Sequence, residues 1–168
     1  MIEAFHSNWT APFLRANPNK NYYIDDFEIL TTIISALKWR ENNGSIKMIT
    51  DDIAADYYKK LGIDTIWDLG IDVSLNKINN DIDSNIFWAA GKIYALKGQK
   101  SPCVMIDTDF IVWDNIENLL LQSEISVIHK EKIISSVYPN KDYFNMNNNY
   151  LFDENFDWSV LPSNTAFA

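Results

Sequence analysis

The chain has a single cysteine, Cys103, among 168 residues, and only two histidines. One thiol excludes a disulfide framework and a multi-cysteine metal cluster, and fits a reducing compartment. Glycine and proline are scarce, at 5 each, while 47% of residues are hydrophobic and 14% aromatic, so the chain is not collagen-like, low-complexity or disordered. Basic residues are also few. Fourteen Lys and Arg against 23 Asp and Glu give a formal charge of -9, which leaves no positive field for a nucleic-acid backbone. No apolar run approaches the roughly 20 residues of a membrane-spanning helix. The start, Met1-Ile2-Glu3-Ala4-Phe5-His6, lacks the basic, apolar and small-residue segments of a signal peptide. The expectation is one cytoplasmic domain with a real core.

What is present is an alternation of apolar strands and capped helices. Ile2 to His6 reads as the first strand. Phe27, Leu30, Ile33, Ile34 and Leu37 follow helical spacing, with Asp25 or Asp26 as cap and Asn43-Gly44 as the end. Ile46 to Thr50 reads as a strand, and Asp51-Asp52 opens a helix that stops at Gly62. A brief strand is expected at Thr65 to Trp67, a helix capped by Ser84 over 85–97, and a continuous apolar strand at Cys103 to Ile106. A short helix at Asn115 to Leu121 and a strand at Ile125 to His129 follow. The aromatic and Asn-rich run Tyr143 to Tyr150 is irregular, and the apolar end, Val160 to Ala168, looks like a strand cut short. Such alternation predicts an α/β fold, a mostly parallel sheet with helices on both faces, whose ligands sit at the carboxyl ends of the strands.

The apolar strand runs directly into Asp107-Thr108-Asp109. Strand alternation would put both carboxylates on one side, with Cβ atoms roughly 6.5 Å apart. At an effective dielectric near 20 they repel by about 2.5 kcal/mol, so a positive partner is required. A hard divalent cation, Mg²⁺ or Mn²⁺, meets this need and fills its shell with water and phosphate oxygens. The bland reading is a pair of solvated loop acids. The chain carries its own control in Asp81-Ile82-Asp83, where the same pattern sits in a polar Asn-rich loop and reads as structural.

The segment Ser101 to Trp113 resembles the D-x-D segment of GT-A-fold glycosyltransferases, and Phe87 to Leu96 resembles the helix those enzymes place before it. His6-Ser7-Asn8-Trp9 and Thr50-Asp51 stand where the family forms its nucleotide pocket, and Asn164-Thr165-Ala166 is similar to its Asn-Thr-Gly segment with Ala166 in place of glycine. The resemblance implies a Rossmann-like three-layer sandwich of GT-A type. It also implies metal-dependent transfer of a sugar from a nucleoside-diphosphate sugar to an unknown acceptor, using Mn²⁺ or Mg²⁺. In that reading Asp109 binds the metal directly, and Asp107 contacts the ribose or a metal-bound water. Lys92 adds charge near the phosphates, against its alternative as a solvated helix lysine. Asp51 either accepts from the base or caps its helix, the cap being favoured, and His6 either touches the ligand or is a satisfied structural histidine. No base is assigned; Asp153, Glu154 and Asp157 are treated as loop acids. Two other classes compete: a haloacid-dehalogenase-like phosphatase, which also uses D-x-D at a strand end, and a non-catalytic nucleotide-binding or interaction domain.

Overall fold

A computed structural model describes residues 2–135, 137, 138, 142 and 157–168. The run Tyr143 to Tyr150 and the acids Asp153 and Glu154 lie outside the described residues. Four parallel strands, β1 (Glu3–Asn8), β2 (Ile46–Thr50), β3 (Ile71–Asp72) and β4 (Cys103–Ile106), form one sheet in the order β3-β2-β1-β4. The helices are α1 (Ala11–Ala16), α2 (Asp26–Asn42), α3 (Asp52–Leu61), α4 (Ala90–Lys97) and the single turn α5 (Glu117–Leu120). The α/β expectation holds, with a small sheet.

Alternation along the strands divides the core into two layers. Ala4, Met48, Val104 and Ile106 face α2 and α3, where they meet Ala36, Trp39, Ala54 and Tyr58. Phe5, Ile49 and Met105 face the opposite way, onto Leu75, Ile78 and Ala95 of α4. The chain thus winds from β1 out to β3 with its helices on one face, then returns to β4 on the other side of β1 with α4 on the second face. That reversal makes the gap between the carboxyl ends of β1 and β4 a topological switch point, the place where such sheets hold ligands.

Several local expectations are corrected. Phe27, Leu30, Ile34 and Leu37 form the exposed stripe of α2, while Thr32, Ser35, Ala36 and Trp39 are the buried ones, because the sheet beneath accepts small side chains beside one indole. Asp25 occupies the N-cap position without a side-chain capping bond. Thr65 to Trp67 is no strand: Asp64–Ile66 is a 3₁₀ turn that turns Ile66 and Trp67 into the core, and the edge strand comes later, at Ile71–Asp72. Ser84 caps no helix, since α4 starts only at Ala90 and the Ser84 hydroxyl donates to the Ala11 carbonyl at 3.4 Å. Ile125 to His129 forms no strand; Lys130 makes an isolated antiparallel bridge with Ser163. Residues 166–168 run antiparallel to β4, with Met105 and Ala168 exchanging backbone hydrogen bonds and the Asp107 N–H donating to the Ala166 carbonyl at 2.7 Å. The free edge of β4 is covered in this way. Among the described residues no helix is long and apolar enough to cross a membrane.

Candidate functional site

A cleft of about 510 Å³ opens at the switch point. The end of β1 supplies Ser7 and Asn8, followed by Trp9; the first turn of α2 supplies Phe27 and Glu28; Trp88 and Lys92 come from α4 and its approach; Asp107, Thr108 and Asp109 follow β4. Tyr22, Tyr23 and Phe13 form the remaining wall. Both acids of the D-x-D therefore line one cleft, although strand alternation is not the reason. β4 ends at Ile106, and the Phe110 N–H closes a turn onto the Asp107 carbonyl at 3.0 Å. Asp107 stays half-buried on the α4 side of the sheet, whereas Asp109 is exposed at the cleft mouth.

The positive partner demanded by the acid pair is Lys92. Its Nζ stands 2.6 Å from Asp107 Oδ1 and donates to Oδ2 at 2.8 Å, so both oxygens share one ammonium. Gly91 makes this approach possible: a Cβ there would stand 2.5 Å from Trp9 Cβ, so only glycine lets α4 lie against Trp9 and bring Lys92 over the strand end. Asp109 makes no hydrogen bond or ion pair among the described residues. Glu28 faces it, and partial desolvation, with the charges of Asp109 and then Asp25, raises the Glu28 pKa above the usual carboxylate range. Glu28, Asp107 and Asp109 against Lys92 leave the cleft with a formal charge of -2.

Phe13, Tyr22 and Tyr23 of the cleft wall continue into a packed aromatic series behind it. Phe13 stands edge-on to Tyr22 and Tyr23 at 5.3 and 5.2 Å, Tyr22 meets Tyr57 at 5.3 Å, and Tyr58 meets Trp67 at 4.9 Å. The Asn8 amide donates to the hydroxyls of Tyr22 and Tyr58 at 2.6 and 2.5 Å. Burial pushes the Tyr22 pKa up to about 12 and that of Tyr58 well above the ordinary value, so both phenols stay neutral. Ser7 Oγ is buried beside this wall with no hydrogen-bond partner among the described residues.

The remaining predicted residues do not reach the cleft. His6 is fully buried on the α2 side of the sheet. The Trp67 indole N–H donates to its Nδ1 at 3.2 Å, so the proton sits on Nε2, which donates to Ser35 Oγ at 3.0 Å; Ser35 in turn donates to the Phe110 carbonyl at 2.6 Å. Every atom of that chain is used with a neutral ring, and desolvation lowers the His6 pKa to about 3. The ligand-contact alternative for His6 is thereby corrected to a structural one: it braces the turn that carries Asp109. Asp51 is the helix cap. Its Oδ1 accepts from the Ala54 N–H at 3.1 Å, and Oδ2 accepts from both the N–H and the hydroxyl of Thr10 at 2.8 Å. With both oxygens engaged and 7% of its surface exposed, it is not placed to read a base, although it borders a second hollow of about 480 Å³ across Trp9. Asp81 and Asp83 hold turns, accepting from the Asn79 amide at 3.3 Å and the Asn85 N–H at 2.9 Å. Asp157 likewise accepts from the N–H and hydroxyl of Ser159, at 2.8 and 2.6 Å.

Glu28 and the tyrosine wall were not anticipated. A signal for Glu28 existed, since the helix after the first strand of a parallel sheet starts beside the ligand end of that sheet. The side of α2 that it occupies was misjudged with the apolar stripe.

Fold and cleft together define a doubly wound α/β domain with an acidic, aromatic-walled cleft at its switch point. The chain belongs to the family of unknown function DUF6734, whose model matches residues 2–156. No curated protein and no solved structure matches it.

Proposed function

We propose that this domain is a metal-dependent glycosyltransferase of GT-A type, or the nucleotide-sugar-binding portion of one, with the donor diphosphate in the cleft between β1 and β4. The observation that supports it is the convergence of Asp107, Asp109 and Lys92 in one cleft at the switch point. A cleft of formal charge -2 repels a diphosphate unless a cation enters with it. The residues fit such a cation. Asp109 offers an exposed carboxylate with no partner among the described residues, a hard oxygen donor, and Mg²⁺ or Mn²⁺ is commonly held by one or two carboxylates with phosphate and water completing the shell. Among the described residues no group of three or more His, Cys, Asp or Glu side chains is poised to hold a metal alone, so the substrate phosphates would share the work.

A cation held by Asp109 would supply positive charge to offset that on the departing diphosphate. Asp109 orients the cation, and Lys92 divides its ammonium between Asp107 and the phosphates. Trp9 and the Phe13–Tyr22 wall bound the cleft beside the phosphates.

The test is calorimetric titration of UDP-, GDP- and CDP-sugars with Mn²⁺ and with EDTA, for the natural chain and Asp109→Ala. The reading expects Mn²⁺-dependent binding of at least one donor, lost in Asp109→Ala. Turnover of a chromogenic phosphate ester would favour the phosphatase. Binding that ignores both Mn²⁺ and Asp109 would sink the assignment.

A further inference from the structure

The rim of the cleft carries aromatic surface that the proposed donor site does not use. Trp88 is 65% exposed and Phe27 78% exposed, and both line the same opening as Glu28, Thr31 and Asp109. Large exposed aromatic side chains set around a polar cleft, rather than scattered singly, mark a binding surface. The ligand class follows from what surrounds them. The cleft's formal charge of -2 disfavours an anionic ligand that arrives without a cation, and the Glu28 carboxylate, with no hydrogen-bond partner among the described residues, can only accept hydrogen bonds while ionised. A lipid tail would leave this acceptor desolvated and unmet. A neutral sugar meets both demands, because its axial C–H faces lie flat on aromatic rings while its equatorial hydroxyls point sideways as donors.

We infer that the mouth of the cleft is a binding site for a neutral glycan, with Trp88 and Phe27 as the stacking surfaces and Glu28 as an acceptor for its hydroxyls. Phe13, edge-on to both Tyr22 and Tyr23, fixes the wall behind. The inference deepens the transferase reading, on which it rests only in calling this glycan the acceptor; the site itself involves neither nucleotide nor metal.

The experiment keeps the two apart. The full chain, in EDTA and without nucleotide, is titrated with cellotriose, maltotriose, mannotriose, laminaritriose and chitotriose, followed by tryptophan fluorescence and by saturation-transfer NMR. At least one trisaccharide is expected to bind with a Kd on the order of 1 mM, the range of a small, open site for an uncharged ligand. Trp88→Ala should weaken that binding about tenfold, and Glu28→Gln by a similar or smaller factor. Both side chains are exposed, so neither change should move the midpoint of thermal unfolding by more than about 2 °C. The inference is overturned if no trisaccharide binds below about 20 mM, or if Trp88→Ala and Phe27→Ala bind as the natural chain does. Glycan binding together with failed nucleotide-sugar binding would support this site and remove the transferase reading alone.

Discussion

Acidification to pH 5 should destabilise this protein chiefly through His6. The ring is fully buried and neutral, with its folded pKa lowered from 6.5 to about 3 by desolvation. The unfolded chain therefore takes up a proton near pH 6.5 that the native state refuses until about pH 3, and stability must fall as pH drops through that window. At pH 5 about 97% of unfolded imidazoles are protonated and almost no native ones, which removes about 2 kcal/mol relative to pH 8. The full difference, near 5 kcal/mol, is reached only below pH 3. The figure at pH 5 is robust, because any native pKa below about 4 gives the same result. Glu28, whose pKa is raised, acts with the opposite sign, but it is exposed and its effect is screened. Asp68, held below the ordinary carboxylate range by hydrogen bonds that outweigh its burial, contributes only at lower pH. Urea unfolding at pH 8 and pH 5 measures the difference directly. The natural chain should lose about 2 kcal/mol at constant m-value, and His6→Gln, whatever its own stability, should lose under about 0.5 kcal/mol. Equal losses in both chains, or no loss in the natural one, would refute the buried neutral imidazole.

Two substitutions test how the site is held. Gly91→Ala gains up to about 1 kcal/mol of helix propensity, yet its Cβ meets Trp9 Cβ at 2.5 Å, so overpacking of about 1–3 kcal/mol should dominate. Net destabilisation by chemical denaturation is expected, together with weaker Mn²⁺-dependent donor binding as Lys92 is displaced; a more stable protein would show that α4 is not pinned there. Asp51→Ala removes a helix cap and both bonds from Thr10, and should cost about 2–3 kcal/mol, read as a fall in urea midpoint. A loss of donor affinity at unchanged stability would instead return Asp51 to the binding site.

Strands and crossover helices were legible because β1, β2 and β4 are short apolar runs closed by polar turns, and a parallel sheet buries such runs on both faces. The segments that misled were those where tertiary context outweighs pattern. Thr65 to Trp67 has strand composition, but Ile66 and Trp67 are bulky enough to be drawn into the core from a 3₁₀ turn. The apolar stripe of α2 faces outward because the sheet is filled by Trp39 with Ala36 and Ser35 as close neighbours, a fit that periodicity alone does not reveal. The D-x-D was legible as a place where charge must be compensated. The identity of the compensating group was not, since it depends on Gly91 letting α4 approach, a contact 15 residues away in sequence from Asp107 to Lys92. His6 looked ambiguous for a similar reason: both its partners, Ser35 and Trp67, come from distant elements.

Mn²⁺ itself reports where a cation and a diphosphate meet. With UDP present and Mn²⁺ added in steps to ¹⁵N-labelled protein, amide resonances of Ser7, Glu28 and residues 107–110 should broaden first, and those of Asp81 and Asp83 should stay sharp until a large excess. Broadening centred on Asp81–Asp83, or spread evenly over the acidic surface, would contradict a cation site at the end of β4.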